Sequence, residues 1–404
     1  MNEKNDFALV LRSPNTIEKT ELGAKRILAA MVADILALAP VKDSEATFQK
    51  GRAFPRPFLF ERPRQLRKRL SRMTELRQLN SEAMFRKGHT YFLGDGVTKD
   101  SAEAVKWWRK AAERGHADAQ VNLGIMYGTG NGVLKDSTEA VRWYRKAAEQ
   151  GHAQAQFNIG SMYDIGSGVP KDSAEAVKWW LKSAEQGDVY AQFNLGNMYG
   201  TGNGVPKDSA EAVKWYRKAA EQGHAAAQCS LGWMYAKGDG IPKDSTEAIR
   251  WYRKAAEQGN TDAQVRLGNS YYDGDGVPKD STEAVNWFRK AAEQGDAVAQ
   301  RNLGVVYAKG EGVPKDSTEA LKWNRKAAEQ GNGAAQFRLG WMYAKGEGVP
   351  KDLVQAHVWM NIAGAEGNED ARKNIAILEI DMTADQMAKA MEQARALFEK
   401  LRKK

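Results

Sequence analysis

The sequence predicts an all-α fold: an α/α superhelical solenoid of eight 36-residue helix-turn-helix repeats with capping helices at both ends. Three observations carry this. Lys-Asp recurs at 99/100, 135/136, 171/172, 207/208, 243/244, 279/280, 315/316 and 351/352 without an insertion. A fixed period this short belongs to units that bury their apolar faces only against their neighbours. Within each period, two stretches carry apolar residues at helical spacing, and a glycine-rich turn separates them.

Residues 1–49 lie outside the period and read as a partly helical extension. Residues 27–39 (ILAAMVADILALA), with Lys25 and Arg26 before them and Pro40 after, resemble an export signal. Asp34 inside the run, and Glu3, Asp6, Glu18 and Glu21 ahead of it, argue against that. The run is too short to span a bilayer, so an amphipathic helix on Leu28, Val32, Ile35 and Leu36 is expected. A cytoplasmic location is the leading expectation, with export through residues 1–39 as the alternative.

Residues 50–82 combine a basic Pro/Phe linker with an amphipathic helix. Pro55, Pro57 and Pro63, with Phe54, Phe58 and Phe60 between them, favour extended chain. Leu66, Leu70, Met73 and Leu76 then fall at helical spacing among basic residues. The leading expectation is a capping helix docked on the first repeat. The alternatives are a surface for anionic lipid, RNA or an acidic protein, and an unstructured tail. Between residues 50 and 77 stand ten basic residues and two acids, which holds most of the chain's net charge of +9.

Residues 83–370 hold the repeats, 83–118, 119–154, 155–190, 191–226, 227–262, 263–298, 299–334 and 335–370. In the unit 191–226, Ala191, Leu195 and Tyr199 mark a first helix. Gly202 and Gly204 end it, since glycine accepts positive φ, and Pro206 confirms the break. Asp208 with Glu211 resembles a capping box with Asp in the Ser/Thr role. Ala212, Trp215, Tyr216 and Ala219 give the second helix its apolar stripe, and Gly223 terminates it. Helices of about three turns are marginal alone, so stacking must supply their stability. The Trp column (107, 143, 179, 215, 251, 287, 323, 359) and the Tyr column (91, 127, 163, 199, 235, 271, 307, 343) are the expected core.

The run A-x-x-x-L-G-x-x-Y, G-x-G-V-P-K-D, E-A-x-x-W-Y-x-K-A-A-x-Q-G resembles the Sel1-like repeat, a relative of the tetratricopeptide repeat. The resemblance implies a right-handed α/α superhelix whose members serve as adaptors, often bacterial, and it implies no single activity. Some cysteine-rich members are described as penicillin-binding or β-lactam-hydrolysing, with a disulfide in each repeat. This chain has one cysteine, Cys229, and matches that subgroup poorly. A lone thiol excludes a disulfide framework within the monomer and fits a reducing compartment.

Residues 371–404 read as C-terminal capping helices. The last unit carries Ile362 and Ala365 where inner units have Lys and Glu, so its apolar surface needs a cover. Thr383 with Gln386 forms a capping box ahead of a helix bearing Met387, Met391, Ala394, Phe398 and Leu401.

No phosphate loop, dinucleotide fingerprint, zinc-protease motif or nucleophile elbow is present. His116, His152 and His224 share one turn position in different repeats, too far apart to hold one metal. Cys229 has no histidine placed to activate it. The expectation is a non-catalytic chain without cofactor or metal.

A helix that buries its first, fifth and ninth positions exposes the third, fourth, seventh and eleventh, and these vary between otherwise near-identical units. In tetratricopeptide-type arrays the first helices line the concave groove. By that resemblance the candidate partner-binding residues are Asn194, Asn197, Ser230, Trp233, Lys237, Arg266, Asn269, Arg301, Val305, Lys309, Arg338, Trp341 and Lys345. Exposed aromatics beside cationic groups predict an acidic or aromatic peptide or partner protein. Replacing Trp233 and Trp341 by Ala is expected to abolish capture and leave melting unchanged. The leading function is thus a protein-protein scaffold or adaptor. The alternative is an anionic-surface binder, for nucleic acid or membrane, acting through Arg62, Arg64, Arg67, Lys68, Arg69 and Arg72. A cell-wall or β-lactam hydrolase is the remote third reading.

Overall fold

The computed structural model describes residues 63–402. The chain divides into two units, residues 1–66 and 67–404, and every repeat lies in the second. The expected helix on Leu28, Val32, Ile35 and Leu36, the Pro/Phe linker before Pro63 and the possible export signal lie outside the described residues.

Among the described residues there are helices and turns and no strand. In chain order they are α1 Pro63–Leu93, α2 Ser101–Glu113, α3 Ala117–Thr129, α4 Ser137–Glu149, α5 Ala153–Ile165, α6 Ser173–Glu185, α7 Val189–Thr201, α8 Ser209–Glu221 and α9 Ala225–Lys237. There follow α10 Ser245–Glu257, α11 Thr261–Asp273, α12 Ser281–Glu293, α13 Ala297–Lys309, α14 Ser317–Ala328, α15 Gly333–Lys345, α16 Leu353–Ala365, α17 Glu369–Ile380 and α18 Ala384–Arg402. From α2 to α17 each helix packs against the next, the pattern of a solenoid, and α18 folds back on α16.

The repeat sequence explains each boundary. Asp208 N-caps α8 by accepting the Glu211 N–H at 2.9 Å. The expected reciprocal box does not close. The Asp208 N–H donates instead to the Tyr199 carbonyl at 2.8 Å, and the Glu211 carboxylate takes Lys214 at 2.6 Å. Gly202 ends α7 in the left-handed region. Gly204, at φ +72°, also permits close approach, because a Cβ there would sit 2.5 Å from the carbonyl carbon of Ser173 in the preceding second helix.

Packing between repeats rests on the aromatic columns, with one amendment. Trp143, Trp215, Trp251, Trp287, Trp323 and Trp359 are buried, and Trp215 reaches back into the core of the preceding hairpin. Trp107 and Trp179 are only half-buried, since Trp108 and Trp180 occupy the inner place beside them. The residue after the column Trp meets the glycine of the Leu-Gly or Ile-Gly pair. A Cβ on Gly232 would lie 2.7 Å from Tyr252, so the ring needs the glycine. The Tyr column is mostly half-buried, its hydroxyls taken by arginines of the preceding second helix, as in Arg217 to Tyr235 and Arg289 to Tyr307, both 2.9 Å.

The ends differ from expectation in detail. The basic helix does not form a separate cap on the first repeat. It is the start of α1, which runs unbroken from Pro63 into the first repeat, with Met73 51% exposed. Proline at the first helical position suits its fixed φ. At the other end the reciprocal capping box is present: Gln386 Oε1 accepts from Thr383 N–H at 2.9 Å and Thr383 Oγ1 from Gln386 N–H at 3.2 Å. Helix α18 lays Met387, Ala390, Ala394, Phe398 and Leu401 on the last core cluster, which includes Ile362. Met391 and Ala365 point away from it and are exposed.

Candidate functional site

The first helices present a graded rather than an open face. Asn158 and Asn302, at the fourth position, are buried, and Trp233 and Trp341, at the seventh, are half-buried. Packing against the second helices and the clusters of adjoining hairpins covers these positions. Trp233 packs on two successive core clusters, and Trp341 on the C-terminal one. The fourth and seventh positions also satisfy hydroxyls of the second helices: Tyr216 donates to Asn197 Oδ1 at 2.7 Å, and Ser230 reaches the same group. Asn194 is half-buried beside them.

One cleft brings four of the candidate residues together. Between α11 and α13 a cavity of about 250 Å³ is lined by Asn269, Tyr272, Asp273, Arg301, Val305 and Lys309. Its cations are oriented by Asn302 and Tyr272, and Glu311 also pairs with Lys309 at 3.8 Å. Arg301 donates to Asn302 Oδ1 at 2.7 Å, and Asn302 donates across the repeat boundary to Asn269 Oδ1 at 3.0 Å. Lys309 donates to the Tyr272 hydroxyl at 2.9 Å, and that hydroxyl also pairs with Glu311. Its partners on Tyr272 and Glu311 hold the Lys309 ammonium above the usual lysine range.

The remaining candidates do not join this cleft. Arg266 is exposed against the Tyr252 ring, and Lys237 ends α9 in solvent. Arg338 pairs with Glu347 at 3.6 Å, and the Lys345 ammonium lies 5.0 Å from the Trp341 ring centre. Three contributors were not legible beforehand. Tyr272 stands at a tenth position that is Gly, Ala or Asp in the other units from 119 to 370, and that oddity is the signal for it. The turn acids Glu311 and Glu347 offset part of the positive lining. Of the basic segment, Arg64, Arg67, Lys68, Arg69 and Arg72 fall within α1, and Arg62 lies outside the described residues.

Other chemistry is sparse. Burial pushes the Cys229 thiol up to about 11, which leaves it protonated and unreactive at neutral pH. Among the described residues no group of three or more His, Cys, Asp or Glu is placed to hold a metal, and no helix is long and apolar enough to cross a membrane.

No curated protein matches the chain. Among solved structures it is similar to a Sel1 repeat protein from Oxalobacter formigenes, 34% identical over 85% of this chain and 99% of that one, with a TM-score of 0.61. It is also similar to a protective antigen of uropathogenic Escherichia coli strains that displays an SLR fold, 36% identical over 80% of this chain and 84% of that one, with a TM-score of 0.43. The family model for the Sel1 repeat matches eight consecutive segments, 81–116, 117–152, 153–188, 189–224, 225–260, 261–296, 297–332 and 333–368. With its all-helical solenoid and its unbroken 36-residue period, the chain belongs to the Sel1 repeat family.

Proposed function

We propose that this chain is an adaptor without enzymatic activity, as Sel1 repeat proteins generally are non-catalytic scaffolds for protein interaction, and that it grips an acidic or aromatic segment of a partner protein along its first helices. The observation that carries the reading is the cleft between α11 and α13, where Arg301 and Lys309 are oriented by Asn302 and Tyr272 beside the apolar Val305. Cations already oriented before a ligand arrives lose little freedom on binding. The single buried thiol fits a reducing, cytoplasmic setting.

Selection of a displayed random peptide library on the full chain tests this. Enriched peptides should share acidic or aromatic residues, and Arg301→Gln with Lys309→Gln should weaken them at least tenfold. Enrichment that ignores both substitutions would refute the site.

The charge density of residues 50–77 supports a second reading, an anionic-surface binder. Salt separates the two. Release of counterions from five or six phosphates gives a log-log slope of about −5, whereas binding in the cleft should vary far less with salt.

A further inference from the structure

Helix α17 is a ninth first helix whose own second helix is missing. Asn368 caps it through the Ala371 N–H at 2.9 Å, as Asn332 caps α15 through Ala335 at 3.0 Å, and Ala371 and Ala335 are both fully buried. The register therefore places Ala376, Ile377 and Ile380 at the sixth, seventh and tenth positions. In inner repeats these positions meet the second helix of the same hairpin. Gly196 lies under Tyr216, Asn197 accepts from the Tyr216 hydroxyl, and a Cβ at Gly200 would lie 3.8 Å from that of Ala212.

After α17 the glycine turn is absent. Only Asp381, Met382 and Thr383 separate it from α18, and α18 packs against α16. Gln355 donates to Gln393 at 2.9 Å across that contact. The hairpin face of α17 is thus left open, with Ile377 61% and Ile380 81% exposed.

We propose that this face docks on the same face of a second copy, α17 against α17, antiparallel about a two-fold axis near Ile377. Charge favours self-pairing. Lys373 lies one turn before Ile377 and Asp381 one turn after it, both exposed, and among the described residues neither is ion-paired within its own copy. The two-fold sets Lys373 of each copy opposite Asp381 of the other, and an isologous interface uses one patch twice in this way. Ala376 leaves room at the crossing. The patch is small, so the dimer should be weak and reversible, as interfaces below about 1,200 Å² are.

Sedimentation equilibrium of the full chain tests this independently of the partner cleft. The wild type should pass from monomer to dimer with concentration, and Ile377→Asp with Ile380→Asp should remain monomeric with unchanged helicity, since both side chains are exposed. Lys373→Asp or Asp381→Lys alone should weaken the dimer about tenfold, and the two together should restore it. A wild type that stays monomeric at 300 µM overturns the proposal and leaves the face to a helix of another protein. A dimer that survives the isoleucine changes, or one that the charge exchange fails to restore, overturns it as well.

Discussion

Gln150 donates its side-chain amide to Gln120 Oε1 at 2.7 Å, while Gln120 donates to the Ala112 carbonyl at 3.0 Å. Each first helix thereby ties together the C-terminal ends of two successive second helices. The same pair of bonds recurs at Gln156, Gln192, Gln228, Gln264 and Gln300. The accepting glutamines are buried and the donating ones exposed, so each rung fixes the register of one repeat on the next where the buried oxygen would otherwise be unmatched.

Replacing Gln228 by Leu should therefore destabilise more than a loss of packing would. It removes the bonds to the Ala220 carbonyl and from the Gln258 amide, which keep the Gly223 N–H and the Lys254 carbonyl as partners, so the cost is that of two net hydrogen bonds, about 1–2 kcal/mol. Urea denaturation of the full chain checks this. A cost below about 0.5 kcal/mol would mean that water replaces the rung freely.

The ladder stops at Gln336. Glu366 stands where every inner unit from 119 to 334 places the donating Gln, and Gln336 Oε1 is buried with no partner. A carboxylate cannot donate this bond. Glu366→Gln should supply it and raise stability by about 1 kcal/mol. A lower melting temperature in the variant would show that the last rung is not geometrically available.

The repeat 299–334 carries a second irregularity. Asn324 is fully buried opposite Gly304, in the place that Tyr252 and Phe288 fill in the two preceding units, and its Oδ1 has no partner. Asn324→Phe should remove the unsatisfied oxygen and restore the ring over the glycine, raising stability by about 1–2 kcal/mol. Thermal denaturation decides. Destabilisation would mean that the neighbouring Met342 and Ala320 leave no room for a ring.

Much of the fold was legible because period, cap and turn signals repeat in every unit. Asp208, Gly202 and Gly223 each state a local backbone requirement, and local requirements can be read from sequence. The Gln ladder was not read, because its meaning depends on residues 30 apart meeting across a repeat boundary. The site was legible by half. Helical geometry placed Asn269, Arg301, Val305 and Lys309 on one side of their helices, and those four share a cleft. The same geometry treated each helix as isolated, so it called Trp233 exposed where its neighbours cover it. Asp208 and Glu211 misled similarly, since the Tyr199 carbonyl claims the N–H that a full capping box would use.

Trp233→Ala is consequently a poor test of binding alone. The ring packs on the clusters of two successive hairpins, so its removal should cost about 2 kcal/mol, below the range for a fully buried Trp. Melting should shift with it, contrary to the expectation from sequence. Arg301→Gln and Lys309→Gln should leave melting within about 0.5 kcal/mol, as surface changes usually do. Denaturation curves for the three variants separate stability from partner capture.

His224 gives the array a pH dependence. Its Nδ1 accepts the Ala227 N–H at 3.1 Å and caps α9, and its ring lies against Tyr190 and Phe193. Burial holds its pKa below the ordinary histidine value of 6.5. The neutral ring is thus the folded form, and its contribution to stability is present above about pH 6.5 and lost as pH falls through the lower, folded pKa. Protonation would also remove the capping acceptor and set a cation at the positive end of a helix. Asn260 and Asn332 perform the same capping without a titrating group. The wild type should therefore lose more melting temperature between pH 7.5 and 5.5 than His224→Asn does. Parallel curves for the two proteins over that window would show that the cap is indifferent to its proton.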